Sequence, residues 1–210
     1  MTSPYAGLAT EDWAVKTREL IEIHPLSPNE IYEVVIQVWR EIFESNLTSK
    51  NYKIGVDLFP RPQIMGYFLH ELIPLELARR YPEIWRREEN ATEKDLVCLL
   101  DDCFSIEIKT SSSNRNTYGN RSSTQLSTTG IEGKKNKSGY YLVVNFQKFN
   151  QKIQGSQLPQ INLVRFGWLD REDWQGQVAA TGQQAKLSPA VERYKLLQFT
   201  KFRIKITVLL

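Results

Sequence analysis

The stretch Asp95-Leu96-Val97-Cys98-Leu99-Leu100-Asp101-Asp102-Cys103-Phe104-Ser105-Ile106-Glu107-Ile108-Lys109 decides how this chain folds. Two short apolar runs, 95–100 and 104–109, flank Asp101-Asp102, a turn-forming pair, so the stretch predicts a β-hairpin. On a strand, residues i and i+2 share a face, which sets the carboxylate of Glu107 beside the amine of Lys109. An antiparallel partner can bring Asp95 to the same place. A two-residue turn at Asp101-Asp102 would instead put Asp95 opposite Ile108, on the wrong face, because directly opposed residues point the same way. The spacing therefore predicts an odd-length connection or a bulge. Two carboxylates and a strand carbonyl make a hard-oxygen site for magnesium (Mg2+), which keeps most of its waters and bridges to a phosphate oxygen. A lysine beside that ion can position or help deprotonate an attacking water and balance phosphate charge. Phosphodiester hydrolysis uses this layout. Glu-x-Lys alone is weak evidence, since strands with a solvent face often carry charges at alternate positions.

Upstream, the chain reads as helices. Thr10 before Glu11-Asp12 predicts an N-cap with acids in the first turn, and Trp13, Leu20 and Ile21 should face inward until His24-Pro25 ends the helix. Ser27-Pro28-Asn29-Glu30 combines a serine cap, a proline at the first helical position and a glutamate at the third, a capping box. Ile31, Val34, Val35, Val38 and Ile42 then recur at helical spacing over 28–45, with Glu30, Glu33, Glu41 and Glu44 on the outer face, which should lie away from any polyanion. A third helix is expected over about 63–81, bent at Pro74. Downstream, residues 110–139 hold 16 Ser, Thr or Asn among 30, too few apolar side chains for a core, so they predict a long polar loop. Strands are expected over 140–146, 161–168 and 202–210, and a short helix from Ser188-Pro189 to Leu197.

The 210 residues fit a single domain, with an N-terminal helical part over 1–62 and the core over 63–210. Cys98 and Cys103 are too few for a disulfide framework or a four-ligand zinc site and read as hairpin core. No apolar run can span a bilayer, and the first residues lack a signal-peptide pattern, so a soluble cytoplasmic protein without membrane contact is expected. The net charge of +3 hides an asymmetry: residues 1–109 hold 12 Lys and Arg against 19 Asp and Glu, and residues 110–210 hold 15 against 5. The basic half should face a polyanion, unless folding interleaves the halves. His24 and His70 sit in different helices, which argues against a Ser-His-Asp triad, and His70 reads as a packed helix residue. Trp168 and Trp174 read as core, and Asp57 as part of a turn.

Asp95, eleven residues, then Glu107-Ile108-Lys109, followed by a polar loop and a basic half and preceded by a helix carrying Glu71, resembles the PD-(D/E)xK nuclease core of type II restriction endonucleases. Lys94 stands where that pattern has proline. The resemblance implies an α/β fold, a mixed central β-sheet flanked by helices, with Asp95 and Glu107 as metal ligands, Lys109 beside them, and a helical glutamate joining the catalytic group, Glu71 in preference to Glu76. Ser3-Pro4-Tyr5, Ile54-Gly55-Val56-Asp57-Leu58-Phe59-Pro60, Pro62-Gln63-Ile64-Met65-Gly66, the stretch 107–112, Lys137-Ser138-Gly139-Tyr140-Tyr141-Leu142 and Ala179-Ala180-Thr181-Gly182-Gln183-Gln184 resemble the ScaI family of restriction endonucleases over nearly the whole chain. That resemblance implies a magnesium-dependent homodimer cutting double-stranded DNA at a palindrome, AGTACT in the family's namesake, to blunt ends. It also implies a prokaryotic host with a cognate DNA methyltransferase that does not contact the nuclease.

Base reading follows donor geometry: arginine pairs bidentately with guanine, and asparagine or glutamine with adenine. Asn114, Arg115, Asn116, Asn120 and Arg121 in the polar loop, and Gln183-Gln184 after Thr181-Gly182, are the candidate base contacts. Lys134, Lys135 and Lys137 are candidates for phosphate neutralisation. The competing functions are a repair or recombination nuclease of the same fold and a DNA-binding module in which Glu107 and Lys109 are an exposed strand pair.

Overall fold

Three helices precede the hairpin in the computed structural model, which describes residues 2–120, 137–150, 152–176, 184–200 and 203–204. They are α1 (Trp13–Glu22), α2 (Pro28–Glu44) and α3 (Pro62–Arg80). The strands are β1 (Trp85–Arg87), β2 (Leu96–Cys98), β3 (Ile106–Ser111), β4 (Tyr118–Asn120), β5 (Gly139–Phe146), β6 (Ile161–Leu169), β7 (Trp174–Gly176), β8 (Gln184–Leu187), β9 (Leu197–Thr200) and β10 (Arg203–Ile204), with α4 (Pro189–Tyr194) before β9. One sheet runs β1-β2-β3-β5-β6-β9-β10 and a small one β4-β8-β7. β3 and β5 are parallel while the pairs on either side of them are antiparallel, the mixed α/β arrangement expected.

Alternation divides β3 and β5 between two environments. Ile106, Ile108, Tyr140, Leu142 and Val144 enter the main core beneath the helices, whereas Tyr141 and Val143 join Trp174, Ala185 and Leu187 under the small sheet. α2 buries Ile31, Val34, Val35, Val38, Trp39 and Ile42 and exposes Glu33, Glu41 and Glu44. Ser27 caps it by accepting the Glu30 N–H. The other half of the expected capping box is given up, because the Glu30 carboxylate accepts the Tyr81 hydroxyl. α3 presses on β3 at Gly66, where a Cβ would lie 2.7 Å from Thr110 Oγ1, so only glycine lets the two backbones approach this closely. The helix runs through the buried Pro74.

His24 is packed against Tyr140 and Phe166 with ring centroids 4.5 and 4.9 Å away. Its Nε2–H donates to the Phe104 carbonyl (3.0 Å) and its Nδ1 accepts the Leu26 N–H (3.1 Å), a neutral tautomer, and burial lowers its pKa to about 4. Trp168 and Trp174 are buried, as is Cys98, while Cys103 is half-buried.

Three local expectations are corrected. Thr10 does not cap: it opens a 3-10 turn, Thr10–Asp12, with no side-chain cap, and Thr17 is buried in α1 together with Leu20 and Ile21. The polar stretch 110–139 is not all loop, since β3 runs on to Ser111 and β4 pairs with β8 (Tyr118↔Lys186, Asn120↔Gln184). Main-chain pairing needs no apolar side chains, so composition does not register it. α4 stops at Tyr194, and Leu197 begins β9. Of the strand expected over 202–210, only Arg203–Ile204 lies within the described residues. Among the described residues no helix is long and apolar enough to cross a membrane.

Candidate active site

β2 and β3 pair at Leu96↔Ile106, and one step along that register sets Asp95 across from Glu107. The connection is therefore odd in length, centred on Asp101. Side chains shape it: Asp101 Oδ1 accepts the Cys103 N–H (2.9 Å), and Ser105 Oγ accepts the Cys98 N–H (2.9 Å) while donating to Asp102 Oδ1 (2.8 Å). β2 separates from β3 after that pair. The Asp95 carboxylate replaces it, Oδ2 accepting the Ile108 N–H at 2.6 Å. In an extended strand the N–H and C=O of one residue lie on the same side, so the Ile108 carbonyl faces the same side of β3 as the Asp95 carboxylate. Asp95 and Glu107 are buried, and the half-buried Lys109 places Nζ 2.5 Å from Glu107 Oε1.

α3 brings a histidine that the sequence reading assigned to packing. His70 Nε2 lies 3.2 Å from Asp95 Oδ2 and Nδ1 lies 3.5 Å from Glu71 Oε1. The hydrogen bond to Asp95 holds its pKa above the ordinary value. Glu71, which also pairs with Arg87, thus meets Asp95 through His70 and not directly. Glu76 is elsewhere, bound by Arg79 and Arg80, with Arg79 the larger cause of a carboxyl pKa lowered to about 2. An open groove of about 740 Å³ leads from His70 and Glu71 past Tyr67 to Ser112, Tyr118 and Gln184. It joins the His70–Glu71 stretch of α3 to the small sheet.

The model of the ScaI restriction endonuclease family matches residues 3–200. The chain belongs to that family. The type II restriction enzyme ScaI of Streptomyces caespitosus is 45% identical to it over 199 residues, covering 93% of this chain and 83% of the relative.

Type II restriction enzymes act on double-stranded DNA and generally need a divalent metal. Among the described residues of this ScaI-family chain, no three His, Cys, Asp or Glu side chains form a ready-made metal cage. The β3 edge offers two carboxylates and a carbonyl, all hard oxygens. That set fits magnesium, which is held by one or two carboxylates with waters and substrate phosphate completing its shell. Asn114, Arg115 and Asn116 are exposed on the turn between β3 and β4, and Gln184 lines the groove. Asn120 pairs in the backbone with Gln184. Lys137 precedes β5, its carbonyl accepting the Tyr141 hydroxyl at 2.7 Å. Arg121, Lys134, Lys135 and Gln183 lie outside the described residues. Asp57 closes a turn by accepting the Lys53 N–H (2.9 Å). His70 was legible only as the neighbour of Glu71, and Tyr67, which is 60% exposed beside the groove, had no sequence signal.

Proposed function

We propose that this chain is a type II restriction endonuclease that hydrolyses both strands of double-stranded DNA at a short palindrome, with magnesium as its ion and the whole chain working as one nuclease domain. The observation that supports this most is Asp95 across from Glu107 where β2 leaves β3, with Lys109 Nζ beside Glu107. Bound there, magnesium would neutralise charge on the scissile phosphate and lower the pKa of its water. Asp95 and Glu107 would hold the ion, with the Ile108 carbonyl as a third oxygen. Lys109 orients the attacking water and balances phosphate charge, serving the water rather than the ion. Glu71 acts through His70 on the orientation of Asp95.

Asn114, Arg115, Asn116, Asn120, Arg121, Gln183 and Gln184 are the base-reading group, and Lys134, Lys135 and Lys137 hold phosphates. A palindrome cut on both strands requires two sites related by a two-fold axis, hence a homodimer. The setting is the cytoplasm of a prokaryotic cell whose methyltransferase protects the same sequence. Digestion of plasmid DNA with magnesium, followed by sequencing of the ends, tests the reading. Discrete fragments with blunt ends at AGTACT are expected. Nicking at structural irregularities would point to a repair nuclease, and gel retardation without cleavage to a binding module.

A further inference from the structure

Arg165 is a cation in the interior. It lies on β6, 4% exposed, and burial holds its guanidinium below the ordinary pKa. Nη2 reaches the main-chain oxygen of Arg115 (2.5 Å), Thr117 Oγ1 (2.9 Å) and Asn145 Oδ1 (3.1 Å), and Nη1 lies 3.8 Å from Glu192 Oε2 on α4. Asn145, fully buried on β5, donates from Nδ2 to the carbonyls of Ser113 (3.0 Å) and Asn116 (3.1 Å). Glu192 Oε1 accepts the Thr117 N–H at 2.7 Å. Three elements, β5, β6 and α4, thus grip one short turn, 113–117. Within it Ser113 Oγ accepts the Asn116 N–H (3.0 Å), and Ser111 Oγ accepts the Ser113 N–H (3.1 Å). The carbonyls of Ser113, Arg115 and Asn116 are bound from the interior, while Asn114, Arg115 and Asn116 are exposed.

Stability does not account for this arrangement. A buried ion pair gains little over an apolar pair of equal volume, because desolvation offsets the attraction, and Arg165 Nε has no hydrogen-bond partner. The cluster supplies geometry. The turn continues directly from β3, the strand that carries Glu107 and Lys109, so fixing the turn fixes the distance from its side chains to the acidic edge.

We propose that Arg165, Asn145 and Glu192 are positioning residues for sequence readout: they hold 113–117 as a turn formed before DNA arrives, so that Asn114, Arg115 and Asn116 meet purine edges in the major groove at a set distance from Asp95 and Glu107. This rests on the endonuclease reading above. A loop that ordered only on binding would lose contact energy to conformational entropy and could reshape itself around neighbouring sequences. A preformed turn rejects them, since a displaced arginine or asparagine leaves its hydrogen bonds to guanine or adenine unmade.

Two variants test the proposal without leaving a lone buried charge. Asn145→Leu removes, at similar volume and without adding charge, both the acceptor toward Arg165 and the donor toward Ser113 and Asn116. Arg165→Met combined with Glu192→Gln removes both charges and keeps an acceptor for the Thr117 N–H. Each is compared with the unaltered protein on the cognate duplex and on duplexes changed at one base pair, with magnesium present. Discrimination between them should fall about tenfold or more, the worth of a bidentate base contact, and cognate cleavage about 10- to 100-fold, as for a small displacement of a positioned group. The affinity for random-sequence duplex should stay near its original value, each variant being compared at a temperature where it is folded. Equal losses on cognate and altered duplexes would overturn the proposal. So would free amide exchange at 113–117 in the DNA-free, unaltered protein, where protection is expected whether or not the variants fold. An unaltered protein that yields no discrete fragments would overturn the endonuclease reading itself.

Discussion

Glu107 and Lys109 touch, yet the proposed reaction asks different things of them, and substitution should separate the two. Asp95→Ala or Glu107→Ala should abolish cleavage, by about 10³-fold or more if a metal ligand supplies several kcal/mol. A gel shift on the cognate duplex should survive, since the proposed phosphate and base contacts lie elsewhere. Lys109→Ala should stop cutting while magnesium binding, followed by calorimetry, persists. Near-normal cleavage by Glu107→Ala would mean that the site lies elsewhere. His24 offers a test of stability. Its folded pKa of about 4 lies below the ordinary 6.5, so between those values the unfolded chain binds the extra proton and stability rises with pH. The stabilisation is complete above pH 6.5 and should be lost as the pH falls toward 4, roughly 3 kcal/mol in all. His70 shifts in the opposite direction, so the comparison must isolate His24. In denaturant melts, His24→Asn should flatten the slope over that pH range while lowering the stability plateau.

Among the elements, the approach of α3 to β3 sets where His70 and Glu71 stand. Gly66→Ala would place a methyl group 2.7 Å from Thr110 Oγ1, an overpacking that costs ~1–3 kcal/mol and tilts α3 away from the acidic edge. Cleavage should fall with helix content unchanged by circular dichroism, and adding Thr110→Ala should restore much of it. Failure of that rescue would show that the contact does not set the geometry. What was legible in the sequence follows the same scale. Ser27 and Pro28 announced α2 because a cap is a local signal, and the odd-length hairpin followed from parity, which requires only that Asp95 and Glu107 share a face. The β4–β8 pairing joins segments more than sixty residues apart through backbone atoms every sequence has, so no composition marks it. His70 was misjudged because a histidine on a helix looks the same whether a carboxylate or an apolar side chain lies opposite, and only tertiary placement decides. Arg165, the one charged residue of the strand expected over 161–168, carried no signal of its own in the sequence.

At the scale of the molecule, the acidic and basic halves are interleaved in the sheet, where β3 of the first lies beside β5 of the second. The pairs Glu76–Arg79, Glu93–Arg86 and Glu71–Arg87 neutralise acids within the first half, and Lys195 with Asp170 and Asp173 does so within the second. Lys195 also ties the two ends of the described chain together. Its Nζ lies 4.2 Å from the Tyr5 ring and 4.6 Å from that of Trp13, Ser3 Oγ donates to Asp170 Oδ2 at 2.6 Å, and Thr17 Oγ1 lies 2.8 Å from the Tyr194 carbonyl. Lys195→Ala should cost roughly 3–5 kcal/mol, because it leaves two carboxylates buried beside each other, and a denaturant melt would measure it. A loss under ~1 kcal/mol would mean that the lysine is not what holds the ends together. The clasp also bears on the order of synthesis. At about 5–20 residues per second, α1 is made roughly 10–30 seconds before Tyr194 and Lys195 exist to receive it. The clasp can therefore close only after residue 195 has emerged, and a chain released before Asp170 leaves Ser3, Tyr5, Trp13 and Thr17 without these contacts.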